Sequence, residues 1–165
     1  MFLELLKISG FHRMKILCDI LDENNVEYNW YVLGKAFTEE VDKKIKGFFS
    51  NNDKVKFIGY KDNVYPYIKK MDYLALLSDR ESWGLVISEA LILGVPCIVT
   101  NFEGVSEQIG NLENGIILDM TNENNSYESR VNDILKLKTI LKENVAKEDY
   151  NRDNIINRWI SLLNK

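Results

Sequence analysis

The sequence predicts an α/β domain in which a largely parallel sheet is covered by helices on both faces, and three observations predict it. Short apolar runs of four or five residues alternate with longer stretches of helical periodicity, the pattern of strands joined by crossover helices. The 165 residues, 45% hydrophobic and 28% charged, suffice to bury one sizeable core and not two. No internal repeat, low-complexity tract or long linker interrupts the alternation, so residues 1–165 read as a single domain.

Taken in order, M-F-L-E-L-L-K at the amino terminus is helix-forming by composition and runs almost at once into Gly10-Phe11. A domain of this type normally opens with a strand and a glycine-containing turn, so the expectation is that an upstream segment is missing. Strands are predicted at Asn29 to Leu33, Val55 to Ile58, Tyr73 to Leu77, Cys97 to Thr100 and Gly115 to Leu118. Between them fall helices at Phe11 to Asn24, Thr38 to Phe49, Val64 to Met71, Gly84 to Leu93 and Val105 to Ile109, with Thr38, Asp62 and Ser82 as candidate caps. Gly94-Val95-Pro96 ends a helix and enters a buried strand, and Asn114-Gly115 is a turn. Residues 120–165 change texture: a polar loop, then two charged amphipathic segments, Tyr127 to Lys142 and Asp149 to Leu163, that read as carboxyl-terminal helices lying across the sheet.

Charge and cysteine usage exclude several function classes. The net charge is −4 and the 21 Lys and Arg are dispersed, which is no footprint for nucleic acid. Cys18 and Cys97 lie in apolar surroundings without metal-ligand spacing and read as buried free thiols in a reducing compartment. Glu4 interrupts an apolar start too short for a signal peptide, and no stretch approaches membrane length, so a soluble cytoplasmic domain is expected. No G-x-G-x-x-G follows any strand, which argues against a dinucleotide oxidoreductase.

The chemistry concentrates between Arg80 and Thr100. Leu85 to Leu93 is apolar apart from Ser88 and Glu89, and a buried unpaired carboxylate is costly enough that Glu89 needs a partner. On one continuous helix Glu81 and Glu89 would stand about 12 Å apart, beyond the gap of a glycosidase pair. Placing Glu81 in the loop after the Tyr73 strand and Glu89 on the second turn of the next helix sets both at one crevice, at the carboxyl ends of parallel strands. Between them S-W-G-L-V starts a helix whose first amides lack partners and whose dipole favours an anion. Gly84 removes a Cβ where a ligand would approach backbone, and Trp83 is either a ligand wall or core packing. A ligand carrying sugar hydroxyls and phosphate together, a nucleotide sugar, accounts for the set. The plainer readings are that Glu89 is a satisfied polar stripe, Glu107 a brace for its turn, and His12, Lys35 and Lys61 solvated surface groups.

Glu81-Ser82-Trp83-Gly84-Leu85 with Glu89-Ala90, followed by Gly94-Val95-Pro96, Thr100, Gly104, Glu107 and Asn114-Gly115, resembles the carboxyl-terminal, donor-binding domain of family-4 (group 1) retaining glycosyltransferases of the GT-B fold. The resemblance runs from about Gly10 to the carboxyl terminus and implies a Rossmann-like domain. It implies that Glu89 accepts hydrogen bonds from the ribose hydroxyls of the donor, and that Glu81 holds the transferred sugar as the catalytic-site carboxylate. It implies further that the amides of Gly84, Leu85 and Val86 face the sugar and diphosphate, that the backbone near Gly59 and Tyr60 borders the base, and that Gly34 lines the same crevice. No cofactor and no metal are implied beyond the nucleotide diphosphate sugar, and the partner is an amino-terminal acceptor domain, the only expected route to a membrane. The family's Arg after the first strand and Lys before the glycine have no counterpart: Ser9 precedes Gly10, and neither Lys7 nor Arg13 stands at those positions. That departure keeps open a non-catalytic binding or partner subunit, beside an epimerase or phosphorylase of the same fold.

Overall fold

Parallel ladders join six strands into one sheet in the computed structural model, which describes residues 2–5, 10–36, 38–120 and 127–134. The strands are β1 (Phe2–Leu5), β2 (Asn29–Leu33), β3 (Val55–Gly59), β4 (Tyr73–Leu76), β5 (Cys97–Thr100) and β6 (Gly115–Leu118), arranged β3-β2-β1-β4-β5-β6. The chain winds outward from β1 to β3, then crosses back to β4 and winds the other way. The strand order therefore reverses between β1 and β4, and the crevice above that reversal, at the carboxyl ends, is where open α/β sheets take ligands.

The expected sheet with helices on both faces is present, and its two apolar layers follow from alternation along the strands. In β4 and the residue after it, Tyr73, Ala75 and Leu77 point to one face and Leu74 and Leu76 to the other, all buried. The first face is covered by α1 (Phe11–Glu23), α2 (Glu39–Phe48) and a helical segment over residues 127–134. Met14, Leu17, Cys18 and Leu21 form the apolar stripe of α1, while Tyr127, Val131 and Ile134 recur at helical spacing. The Tyr73 hydroxyl donates to the Ile134 carbonyl, tying that segment to β4. The second face is covered by α3 (Tyr65–Ile68), α4 (Leu85–Ile92) and α5 (Val105–Ile109). Residues 135–165, with the rest of the two expected carboxyl-terminal helices, lie outside the described residues.

Strand and helix positions otherwise agree with the sequence reading to within a residue or two, with three corrections. Within the amino-terminal stretch expected to be helix-forming, Phe2–Leu5 is β1, the strand flanking the reversal, paired with β2 on one edge and β4 on the other. Leu, Met, Glu and Lys favour a helix in isolation, but a four-residue segment with a ladder on each side takes its conformation from its neighbours. Among the described residues, β1 thus precedes Gly10 at the start of α1. The helix expected over Val64 to Met71 is α-helical only to Ile68; the amides of Lys70 and Met71 reach back three residues and tighten into a closing turn. Thr38 caps α2 as expected, its hydroxyl accepting from the Val41 amide at 3.3 Å, but Asp62 and Ser82 cap nothing: Val64 and Gly84 stand at those N-caps, and neither makes a side-chain cap.

Cys18 and Cys97 are buried and free, and burial raises both thiols, Cys18 to about 12. Neither is expected to react with a disulfide reagent at neutral pH until the chain is unfolded, which titration with and without denaturant checks.

Two contacts at the reversal set the relation of α1 to the loop after β4. Gly10, at φ 91°, lies so close that a Cβ there would stand 1.7 Å from the Leu77 carbonyl oxygen. One turn further on, the buried Arg13 donates to Asp79 at 2.6 Å and approaches the Leu77 carbonyl at 3.4 Å. Gly10→Ala is expected to destabilise the domain by roughly 3 kcal/mol, because backbone faces backbone and no side chain can yield. Asp79→Ala, which takes the charged acceptor from a buried guanidinium but leaves the backbone unstrained, should cost about 1–3 kcal/mol. Urea midpoints of the two variants against the parent chain check both magnitudes and their order.

Candidate functional site

Residues 77–84, linking β4 to α4, form the floor of the crevice, and elements from both sides hold them. Arg13 reaches from α1 to Asp79. The Thr100 hydroxyl, at the end of β5, donates to the Ser78 carbonyl at 2.7 Å. The Gln108 side-chain amide of α5 donates to the Trp83 carbonyl. Within the loop a Glu81 carboxylate oxygen accepts from the Ser82 amide at 3.2 Å, so this carboxylate sits just ahead of the helix start.

Gly84 is the N-cap of α4 at φ 61°, a left-handed conformation that favours glycine. A Cβ at Gly84 would meet Ile87 at 3.0 Å, Leu76 at 3.1 Å and Phe102 at 3.3 Å. The missing Cβ therefore makes room for the core under the helix and not, as the sequence suggested, for a ligand above it. The Ile87 amide already donates to the Gly84 carbonyl at 2.8 Å, while the amides of Leu85 and Val86 precede the helix's first acceptors. No acidic residue occupies the first turn of α4, so the positive end of the helix meets no competing carboxylate of its own. Trp83 is half exposed, and its ring lies 3.5 Å from where a Cβ of Gly104 would stand, so it covers the α5 N-cap and leaves part of its surface open.

Glu89 lies on the second turn of α4, half-buried, as the spacing implied. Its partner is the Tyr65 hydroxyl, 3.3 Å from one carboxylate oxygen. Tyr65 begins α3 and was not singled out in the sequence; the signal that could have found it is its place just beyond the F-I-G-Y-K strand end, on the segment facing the glutamate helix.

Gly34 and Gly59 are brought together at the ends of β2 and β3, the Gly34 amide donating to the Gly59 carbonyl at 3.1 Å. The ladder shifts register between Val32 and Leu33, which sets Leu33 opposite Gly59. Both glycines have positive φ, and nothing lies within 4 Å of a Cβ built on Gly59, so conformation alone requires glycine there. Tyr60 follows with 67% of its surface exposed. The parallel sheet puts Gly34, Gly59, Tyr60, Glu81 and the start of α4 along one edge, and Tyr65 joins the β3 side to α4 through Glu89. Lys61 lies over the Tyr67 ring, 5.9 Å from its centroid, while Lys35 is exposed. Among the described residues no group of three or more His, Cys, Asp or Glu could hold a metal ion, and no helix is long and apolar enough to cross a membrane.

Residues 4–152 match the family described as glycosyl transferases group 1. An N-acetyl-alpha-D-glucosaminyl L-malate synthase of Bacillus anthracis is 41% identical over 68 residues, 41% of this chain and 18% of that protein. An uncharacterized glycosyltransferase of Haemophilus influenzae is 27% identical over 168 aligned residues, covering 96% of this chain and 46% of that protein. Among solved structures, a glycosyltransferase from Rickettsia africae superimposes with a TM-score of 0.69 at 12% identity, over 98% of this chain and 46% of that one. Anabaena Alr3699/HepE in complex with UDP superimposes with a TM-score of 0.67 at 21% identity, over 99% of this chain and 48% of that one. At such identities these likenesses establish the fold, that of a domain of GT-B glycosyltransferases. The chain spans about half the length of the relatives it matches from end to end. With the family match covering nearly the whole described region, the chain belongs to the glycosyl transferases group 1 family.

Proposed function

We propose that the chain is the donor-binding domain of a retaining glycosyltransferase, which moves a sugar from a nucleotide diphosphate sugar to an acceptor hydroxyl. The observation that carries the reading is the start of α4: two amides without helical acceptors, flanked by Glu81 and Glu89, at the carboxyl edge of a parallel sheet beside its reversal. In this reading the amides of Gly84, Leu85 and Val86 receive the diphosphate. Glu89 accepts from the ribose hydroxyls, the backbone of Gly59 and Tyr60 borders the base, and Gly34 lines the same crevice. Glu81 accepts from hydroxyls of the sugar, beside the bond that breaks.

As the bond from the anomeric carbon to the diphosphate oxygen lengthens, negative charge gathers on the leaving phosphate. Fixed N–H dipoles aimed at that oxygen stabilise the transition state more than the ground state. The acceptor hydroxyl adds on the face the phosphate leaves and passes its proton to the departing phosphate oxygen, so configuration is retained. No nucleophile of the chain is assigned, and the acceptor is held by the half of the enzyme beyond this chain. One observation favours the second reading, a binding subunit without turnover. Arg13, the described cation nearest the reversal in sequence, is engaged by Asp79 and not presented to a phosphate.

Calorimetry of the chain with UDP, GDP and ADP tests the donor reading, with one of the three expected to bind well below millimolar. Glu89→Gln should weaken that binding about 10-fold or more, the worth of a charge-assisted acceptor. Heat absent with every nucleotide, or an unchanged affinity in Glu89→Gln, overturns the assignment. Glu81→Gln should leave the affinity for the free nucleoside diphosphate unchanged and weaken only that for the nucleotide sugar; equal loss on both would remove Glu81 from the sugar side.

A further inference from the structure

Glu89 is held by a residue that neither the family pattern nor the spacing of the glutamates brought forward. We propose that Tyr65 is a positioning residue of the nucleoside site: by fixing the Glu89 carboxylate it sets the preference for ribose over 2′-deoxyribose. The inference rests on the reading above that Glu89 accepts from the ribose hydroxyls.

The place of Tyr65 is set from three directions. Its amide donates to the Asn63 side-chain carbonyl at 3.1 Å, an Asx turn that fixes the entry into α3. Pro66 follows in the first turn and restricts the backbone there. Ile68, fully buried, anchors the short helix in the same apolar layer as Ile87 and Ala90 of α4. The phenol is thus delivered to Glu89 of α4 on a rigid support, while the residue remains half exposed.

A carboxylate on a half-exposed helical glutamate has several rotamers, and choosing one on binding costs affinity. The Tyr65 hydroxyl donates to one oxygen of Glu89 at 3.3 Å. An ionised carboxylate offers about four lone-pair sites, so one such bond leaves capacity for the two donors of a ribose diol. Tyr65 therefore fixes the acceptor before the ligand arrives, and its effect reaches the ligand only through Glu89. A 2′-deoxynucleotide presents one donor fewer and gains less from that fixed acceptor.

The test uses the 165-residue chain, the nucleoside diphosphate among UDP, GDP and ADP that binds it tightest, and the 2′-deoxy form of that nucleotide. Tyr65→Phe keeps the ring and removes the hydroxyl, so its melting temperature should match that of the parent. Its affinity for the ribonucleotide should fall roughly 3- to 10-fold, the worth of one hydrogen bond, with less loss for the deoxynucleotide, so that the ratio of the two shrinks. In the Glu89→Gln background, Tyr65→Phe should cost nothing further. Wild-type affinity and discrimination in Tyr65→Phe, with Glu89→Gln impaired, overturns the inference and leaves the donor reading standing. Equal losses on both nucleotides that persist without Glu89 also overturn it, by making Tyr65 a direct contact. If Glu89→Gln itself has no effect, or no nucleotide binds, it is the donor reading that fails and the inference falls with it.

Discussion

The close approach of Gly10 to the Leu77 carbonyl is the constraint on which the crevice depends. It sets the start of α1 directly against the end of β4, across the point where the strand order reverses. Arg13, one turn along α1, can then reach Asp79 only because Gly10 has brought the helix that near. The loop between is pinned further by Thr100 at Ser78 and by Gln108 at Trp83, so α1, β5 and α5 all fix the segment that carries Glu81. Binding or catalysis by a loop residue needs such support, since a group free to move by an ångström loses much of its value.

Glu89 is held by different physics. On α4 the residues Ile87 and Ala90 are buried, while Leu85 is 70% exposed. Leu85 and Glu89, four residues apart, share a helix face that turns from the core toward the crevice. The carboxylate that looked misplaced in an apolar run is thus on the boundary between core and solvent, where its own desolvation is partial and a tyrosine hydroxyl supplies one hydrogen bond. The apolar letters around it belong to two populations, those packed under the sheet layer and those left open at its edge.

Much of the fold was legible because alternation of short apolar runs with helical periods reports burial directly, and five strands were found by it at or within a residue of their ends. The central strand β1 was not, because Phe2–Leu5 carries residues of helical preference and its strand character is conferred by ladders to β2 and β4. Of the candidate site, the placement of Glu81 in a loop and Glu89 on a second turn followed from spacing. The pairings Arg13 with Asp79, Gln108 with Trp83 and Tyr65 with Glu89 did not, since they span 66, 25 and 24 residues and only the folded topology brings them together.

Gly84 shows how a glycine can be noticed for one reason and required for another. A glycine ahead of a helix start suggests close approach of a ligand to backbone. Yet the Cβ that is absent would collide with Leu76, Ile87 and Phe102 beneath, and the φ of 61° would be strained for any other residue. The glycine thus settles the helix onto the core at the depth where its amides open at the sheet edge. Core packing beneath the helix and the opening of its first amides at the sheet edge are therefore one constraint at this position.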